Sequence, residues 1–223
     1  MTNRWIGRVL VALWVLALGV PAEVIDKIVA VVGKQAITAS EVEQRVRLEA
    51  LLNRQPLDLS VERRREALDR LTEWRLLEQE MTVGNLLDTG EQKEVAKGMK
   101  ELERGKFIED RSLQSALELY GLRQEDLSEF LREQVLFRRY WEFRFKTGLE
   151  ALPEEVKRYY EREFVPEFRK THQSDPPPLE EVSSQIAEIL VERRAMELLD
   201  DWLKEMRAVT RVEILDPELR RVR

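Results

Sequence analysis

Two short β-forming stretches stand near opposite ends of this chain, and everything between them patterns as helix. The first is Val24-Ile25-Asp26-Lys27-Ile28-Val29-Ala30-Val31-Val32, rich in β-branched residues; it ends at Gly33 and is followed by a second apolar run, Ala36-Ile37-Thr38. A β-branched run, a glycine-containing turn and a second run are the signature of a hairpin. The other stretch is Arg211-Val212-Glu213-Ile214-Leu215, an alternating strand with no neighbour in sequence. A lone strand leaves a row of backbone donors and acceptors unpaired, so it needs a partner. The only other β material is the hairpin, so Val212 and Ile214 are predicted to pair with residues 24–38.

The intervening chain divides at helix caps and breakers. Ser40, with Glu43 three residues on, reads as a capping box opening a helix with an apolar stripe of Val42, Val46, Leu48, Leu51 and Leu52. Ser60 caps a second helix, with Ala67, Leu68, Leu71, Trp74, Leu76, Leu77 and Met81 on its apolar side; Gly84-Asn85 breaks it. Glu91 to Lys106 is a highly charged third helix. Ser112 opens a fourth that Gly121 closes after Tyr120. Gln124 to Phe145 is the fifth, ended by Gly148. Pro153-Glu154-Glu155-Val156 starts a sixth that is expected to end near Pro166. Ser174-Asp175-Pro176-Pro177-Pro178 is a stiff polyproline II linker, and Leu179 begins the last and longest helix.

Composition narrows the chemistry. Of 223 residues, 36% are charged, above the usual quarter, so long solvated helices are favoured over a compact enzyme. There is no cysteine, which excludes disulfides, thiol nucleophiles and thiolate zinc sites, and the single histidine, His172, cannot build a multi-histidine metal site. Residues 1–22 have the layout of a cleaved export signal. Arg4 and Arg8 precede an apolar run from Val9, and Gly19-Val20-Pro21-Ala22 places small residues before Glu23. Cleavage is expected after Ala22; an uncleaved inner-membrane anchor is the alternative, although the run is short of the roughly 20 residues a span needs. Removing those two arginines takes the formal charge from −6 to −8, which gives no electrostatic reason to expect nucleic acid.

No GxSxG, HExxH, P-loop or dinucleotide glycine pattern occurs. The pairs Glu154-Glu155, Glu180-Glu181 and Asp200-Asp201 read as solvated helix starts or faces, and Arg63-Arg64-Arg65, flanked by Glu62 and Glu66, as an exposed helical face. No catalytic residue, cofactor or metal ligand is assigned. The distinctive feature is aromatic crowding on the fifth helix: Phe130, Phe137, Tyr140, Trp141, Phe143 and Phe145, interleaved with Arg138, Arg139 and Arg144. One face suffices for a core helix, so the surplus either lines an open groove for apolar segments or is covered by a neighbouring helix. Tyr159, Tyr160, Phe164 and Phe168 on the sixth helix form the other wall of that groove or its cover. Met81, Met99 and Met206 are candidates for an adaptable apolar surface.

Taken in order, four stretches resemble the peptide-binding domain of SurA-like periplasmic chaperones, which is related in architecture to the substrate-binding arms of trigger factor. They are Val24–Val32 with Ile37-Thr38 and Ser40-Glu41-Val42; Ala67-Leu68-Asp69-Arg70-Leu71 with Leu76-Leu77 and Glu80; Leu152-Pro153-Glu154-Glu155-Val156 with Tyr159-Tyr160; and Pro178-Leu179-Glu180-Glu181-Val182 with Ile186 and Leu190, closing on Val212-Glu213-Ile214. The resemblance implies a mainly α fold with a small sheet made by the N-terminal hairpin and the C-terminal strand. Residues 1–22 would be the signal, 23–150 the N-terminal chaperone region, 151–215 the helices and strand completing the same domain, and 216–223 a basic tail. It implies a periplasmic, ATP-independent holdase for unfolded exported polypeptides, including outer-membrane β-barrel precursors, with no stable membrane span after cleavage. Many members insert a parvulin-type prolyl isomerase between the equivalents of the last two long helices. Here that interval, Pro166 to Pro178, is far below the roughly 50 residues of a small domain. No isomerase activity is therefore expected; a degenerate isomerase and a non-catalytic envelope assembly subunit are the alternatives.

Overall fold

The computed structural model describes residues 26–84, 90–105, 107, 111–172 and 174–220. The export signal expected over residues 1–22 lies outside them, as do Val24, Ile25, Asn85 and Lys106. The described residues form a mainly helical molecule with one small three-stranded antiparallel sheet.

Strands β1 (Ile28–Val32) and β2 (Gln35–Thr38) make the hairpin, and β3 (Val212–Ile214) pairs with the other edge of β1, giving the order β2-β1-β3. Ala30 faces Ile214 and Val32 faces Val212, so the pairing predicted from the isolated C-terminal strand is present. Gly33 makes the hairpin turn at φ +61, a conformation that costs glycine nothing. A Cβ there would sit 2.9 Å from Gln79 Nε2, the amide that donates to the Val32 carbonyl (3.2 Å). Both faces of β1 are used: its Val29, Ala30 and Val32, with Ile37 of β2, are fully buried in one cluster with Val42, Val46, Leu68, Leu71 and Leu76.

The described residues also form eight α-helices: α1 (Ala39–Leu52), α2 (Val61–Val83), α3 (Gln92–Glu103), α4 (Leu113–Tyr120), α5 (Gln124–Trp141), α6 (Pro153–Tyr159), α7 (Val165–Thr171) and α8 (Leu179–Val209). Three expectations are corrected. The cap of α1 is Thr38, not Ser40: the Thr38 hydroxyl accepts from the Glu41 N–H, and the Glu41 carboxylate accepts from the Thr38 N–H at 2.8 Å. The last strand residue thus doubles as the helix cap, and Ser40, two residues too far in, bonds Asp26 instead. Helix α5 gives way to a π turn over Glu142–Lys146 before Gly148. Finally, the sixth helix does not stop at Pro166. A second π turn, Tyr160–Phe164, bonds the Val165 N–H to the Tyr160 carbonyl and resets the register, so that Pro166 falls in the first turn of α7, where its missing N–H costs no hydrogen bond. Helices α6 and α7 are therefore one continuous rod.

The core comes in pieces. One cluster lies under the sheet. A second joins α1, α4 and the start of α5 through Leu48, Leu51, Leu117, Tyr120 and Leu127. A third joins α2, α5 and α8 through Trp74, Leu77, Met81, Leu136, Tyr140 and Ala195. The fourth, between the α6 rod and α8, has only Val156, Val182 and Ile186 buried. Residues after β3 are packed too. Asp216 caps a single 3-10 turn, accepts from Lys27 Nζ at 2.7 Å, and leads to buried Leu219. Arg65 Nε donates to the Glu218 carbonyl at 2.9 Å and Arg64 pairs with the Glu218 carboxylate at 3.6 Å, so part of the triple-arginine face clamps the chain's C-terminal turn.

Candidate functional site

A cleft of about 950 Å³ opens between α1, the loop after it, the start of α2 and the middle of α5. Its apolar lining is Val46 and Ala50 from α1, Pro56 from the loop and the ring of Phe130 from α5. The loop is set by an unusual helix end. Arg54 sits at φ +54, the only non-glycine residue with positive φ among the described residues, while Gln55 N–H reaches the Ala50 carbonyl (2.9 Å) and Arg54 N–H the Leu51 carbonyl (3.1 Å). This is the double hydrogen bond of a glycine-type helix stop, here built with arginine at a cost of about 1–2 kcal/mol. The Tyr120 hydroxyl donates to the Gln55 carbonyl and ties the loop to α4.

The charges around the cleft are paired. Arg70 grips Glu49 from its Nε at 2.6 Å, and Arg63 meets Glu66 at 3.0 Å. Arg45 is the central group: its side chain is only 8% exposed, its guanidinium lies 4.8 Å from the centre of the Phe130 ring, and it is ion-paired with Glu133. Burial pushes the Glu133 carboxyl up, and the Arg45 charge and hydrogen bond pull against that shift. The Arg45–Phe130 pair is also the wall of a smaller cleft of about 250 Å³, whose rim carries Glu41, Asp126, Glu129 and Glu133 and whose lining includes Trp74. There Arg75 bonds Glu41, coupling the cap of α1 to α2.

The predicted aromatic residues do not line one surface. Phe130 alone among them lines the large cleft. Tyr140 and Phe145 are core residues: their rings meet edge-on at 6.0 Å, and Phe145 meets Trp202 of α8 at the same distance. Phe137 and Trp141 are half-buried against that cluster. Phe143 is 65% exposed because the π turn swings it away while turning Phe145 inward. Tyr160 and Phe164 stack on each other at 5.6 Å on the α6 rod and pack on the fourth cluster. Met81 and Met99 are buried and Met206 is half-buried. Helix α8 thus covers much of the α5 aromatic face, the covered alternative, and leaves Phe130 and Phe143 outside it.

The residues that sequence reasoning missed are Arg45, Val46, Ala50 and Pro56. Val46 reads as an ordinary stripe position and Arg45 belongs to no motif; only the nearness of α5 turns them into a cleft wall. Among the described residues no group of histidine, aspartate and glutamate is arranged to hold a metal, and no helix is long and apolar enough to cross a membrane. No protein-family model matches the chain, and no curated protein matches it in sequence.

Proposed function

We propose that the protein is an ATP-independent periplasmic holdase that binds unfolded exported polypeptides, outer-membrane β-barrel precursors among them, in the cleft around Phe130. The observation that carries this reading is the cleft's mixed make-up: Pro56, the Phe130 ring and the edges of Val46 and Ala50 are set among polar groups, and the arginines there are already paired with Glu49, Glu66 and Glu133. Such a surface gains free energy by covering apolar area and does not demand a particular charge from its ligand. Its volume suits a few side chains of an extended segment rather than a whole folded partner. The SurA-like order of segments and the export-type leader support the same assignment, and the net negative charge keeps a loaded complex soluble.

The test is suppression of aggregation of several unrelated unfolded proteins. Phe130→Ala is expected to weaken client binding about tenfold, equivalent to about 1.4 kcal/mol, with the far-ultraviolet circular dichroism unchanged. Protection that survives the substitution overturns the site. A wild-type chain that protects no client and copurifies with one partner overturns the holdase in favour of an assembly subunit.

A further inference from the structure

The α6–α7 rod carries four rings at four-residue spacing, Tyr160, Phe164, Phe168 and His172. Successive centroids are 5.6, 5.8 and 4.2 Å apart, and the first and last pairs are stacked within 19° and 10° of parallel. Phe164 reaches the small cluster of Val156, Val182 and Ile186, but Phe168 lies outside it and is half-buried. Helix α7 buries none of its residues and packs chiefly on the π turn before it. Tyr160 and Phe164 serve that cluster, whereas Phe168 and His172 carry the stack beyond it and offer a surface to a ligand.

The chain itself supplies an occupant. Ser174–Pro178 has neither helix nor strand, and Pro178 has φ −61 and ψ 153, the polyproline II values; Pro176 and Pro177 each precede a proline, which favours the same extended form. By Pro177 the chain has returned to the start of the ladder, where the Tyr160 hydroxyl donates to the Pro177 carbonyl at 2.8 Å. Pro176 and Pro177 are half-buried there.

We propose that the ring ladder is a docking site for proline-rich segments in the polyproline II conformation, and that the strap Pro176–Pro178 is its resident, displaceable occupant. A polyproline II chain makes no internal hydrogen bonds, so its carbonyls are free and its order is already in place before binding. Aromatic side chains with a hydroxyl donor recognise it, and the Tyr160 hydroxyl on the Pro177 carbonyl is that hydrogen bond made in cis. This site is separate from the Phe130 cleft and stands or falls without it. An incoming peptide competes with a tethered occupant whose effective concentration is on the order of millimolar.

Fluorescence anisotropy of a labelled decaproline peptide with the full chain tests this. Replacing the strap by P176S/P177S/P178S is expected to tighten decaproline binding at least about tenfold relative to wild type, by removing the competitor. Serine at 178 keeps a good cap for α8; should the triple variant lose helix content, P176S/P177S serves in its place. In the strap-free background Phe168→Ala, outside the buried cluster, is expected to weaken binding at least fivefold, and a Gly-Ser decamer to show none. The proposal is overturned if the strap-free chain does not bind decaproline, if Phe168→Ala changes nothing, or if the Gly-Ser peptide binds equally. It is also overturned if the freed ladder is occupied by a second copy, read as dimerisation by sedimentation with no peptide bound.

Discussion

Helices α2 and α8 are the two longest among the described residues and are built differently. In α2, 23 residues long, seven apolar side chains are buried: Ala67, Leu68, Leu71, Trp74, Leu76, Leu77 and Met81. In α8, with 31 residues, only Val182, Ile186 and Ala195 are, while Ile189, Met196, Leu198 and Val209 stand exposed. Helix α2 is the spine of the sheet-end core. Helix α8 is a brace that touches three regions in turn: the α6 rod, the π turn after α5, and α2. Burial sets stability, so the sheet end is the anchor and the α6–α8 end the adaptable part. The polyproline strap lies at that thinly packed end, where movement costs least.

Equilibrium denaturation of matched cavities gives the sharpest way to break this contrast. Leu68→Ala, at a fully buried site in the sheet-end core, is expected to cost about 4 kcal/mol. Ile186→Ala, equally buried at 1% exposure but ringed by half-buried neighbours that can close in, is expected to cost about 2 kcal/mol. Equal losses would show that the two ends form one cooperative core of uniform strength.

Next in size is the buried pair at the cleft. Arg45→Met leaves Glu133 without its counter-charge and is expected to cost about 3 kcal/mol at neutral pH. An acid whose carboxyl is raised in the folded state holds its proton longer there than when unfolded. Its contribution therefore falls as pH rises from the unfolded value through the folded one, and recovers as pH falls. Losing Arg45 raises the Glu133 carboxyl further, so the penalty of Arg45→Met should shrink between neutral and mildly acidic pH. A penalty that stays constant or grows on acidification would show that Glu133 is not the group left exposed to the loss.

The smallest effect concerns the start of the α6 rod. Leu152 is 59% exposed at its N-cap; Glu155 already accepts the Leu152 N–H at 2.9 Å, but leucine has no oxygen to return the bond. Leu152→Ser completes the box that Thr38 and Glu41 form at α1. It is expected to stabilise the molecule by about 0.5–1 kcal/mol, seen as slower amide exchange in α6 with little change at β1. No slowing there would mean that the start of the rod is not limiting.

Most of the scaffold was legible because caps, breakers and periodicity are local. Ser60, Ser112 and Gly121 sit where they were expected, and the isolated strand at Val212 had one possible partner. Reading failed where register shifts. Pro166 looks like a stop unless a π turn precedes it, and nothing local announces that turn. The same kind of turn after Trp141 divides aromatics that a regular helical wheel groups, placing Phe145 in the core and Phe143 in solvent. The candidate site was less legible still. Phe130 was singled out for its type, but Val46, Ala50 and Pro56 become its companions only through the packing of α1 beside α5, a long-range fact with no sequence period.

The bond from Lys27 to Asp216 joins residues 189 positions apart, and β1 has one neighbour next door and one almost the whole chain away. Joining points that distant costs about 5 kcal/mol of chain entropy, and doubling the span adds only about 0.6 kcal/mol because the dependence is logarithmic. The sheet therefore behaves as a clasp whose hold is nearly indifferent to the length of what it encloses. Residues inserted into the loops of the helical middle would add little to that closure cost. As the chain emerges from its N-terminal end, the clasp is the last part to shut.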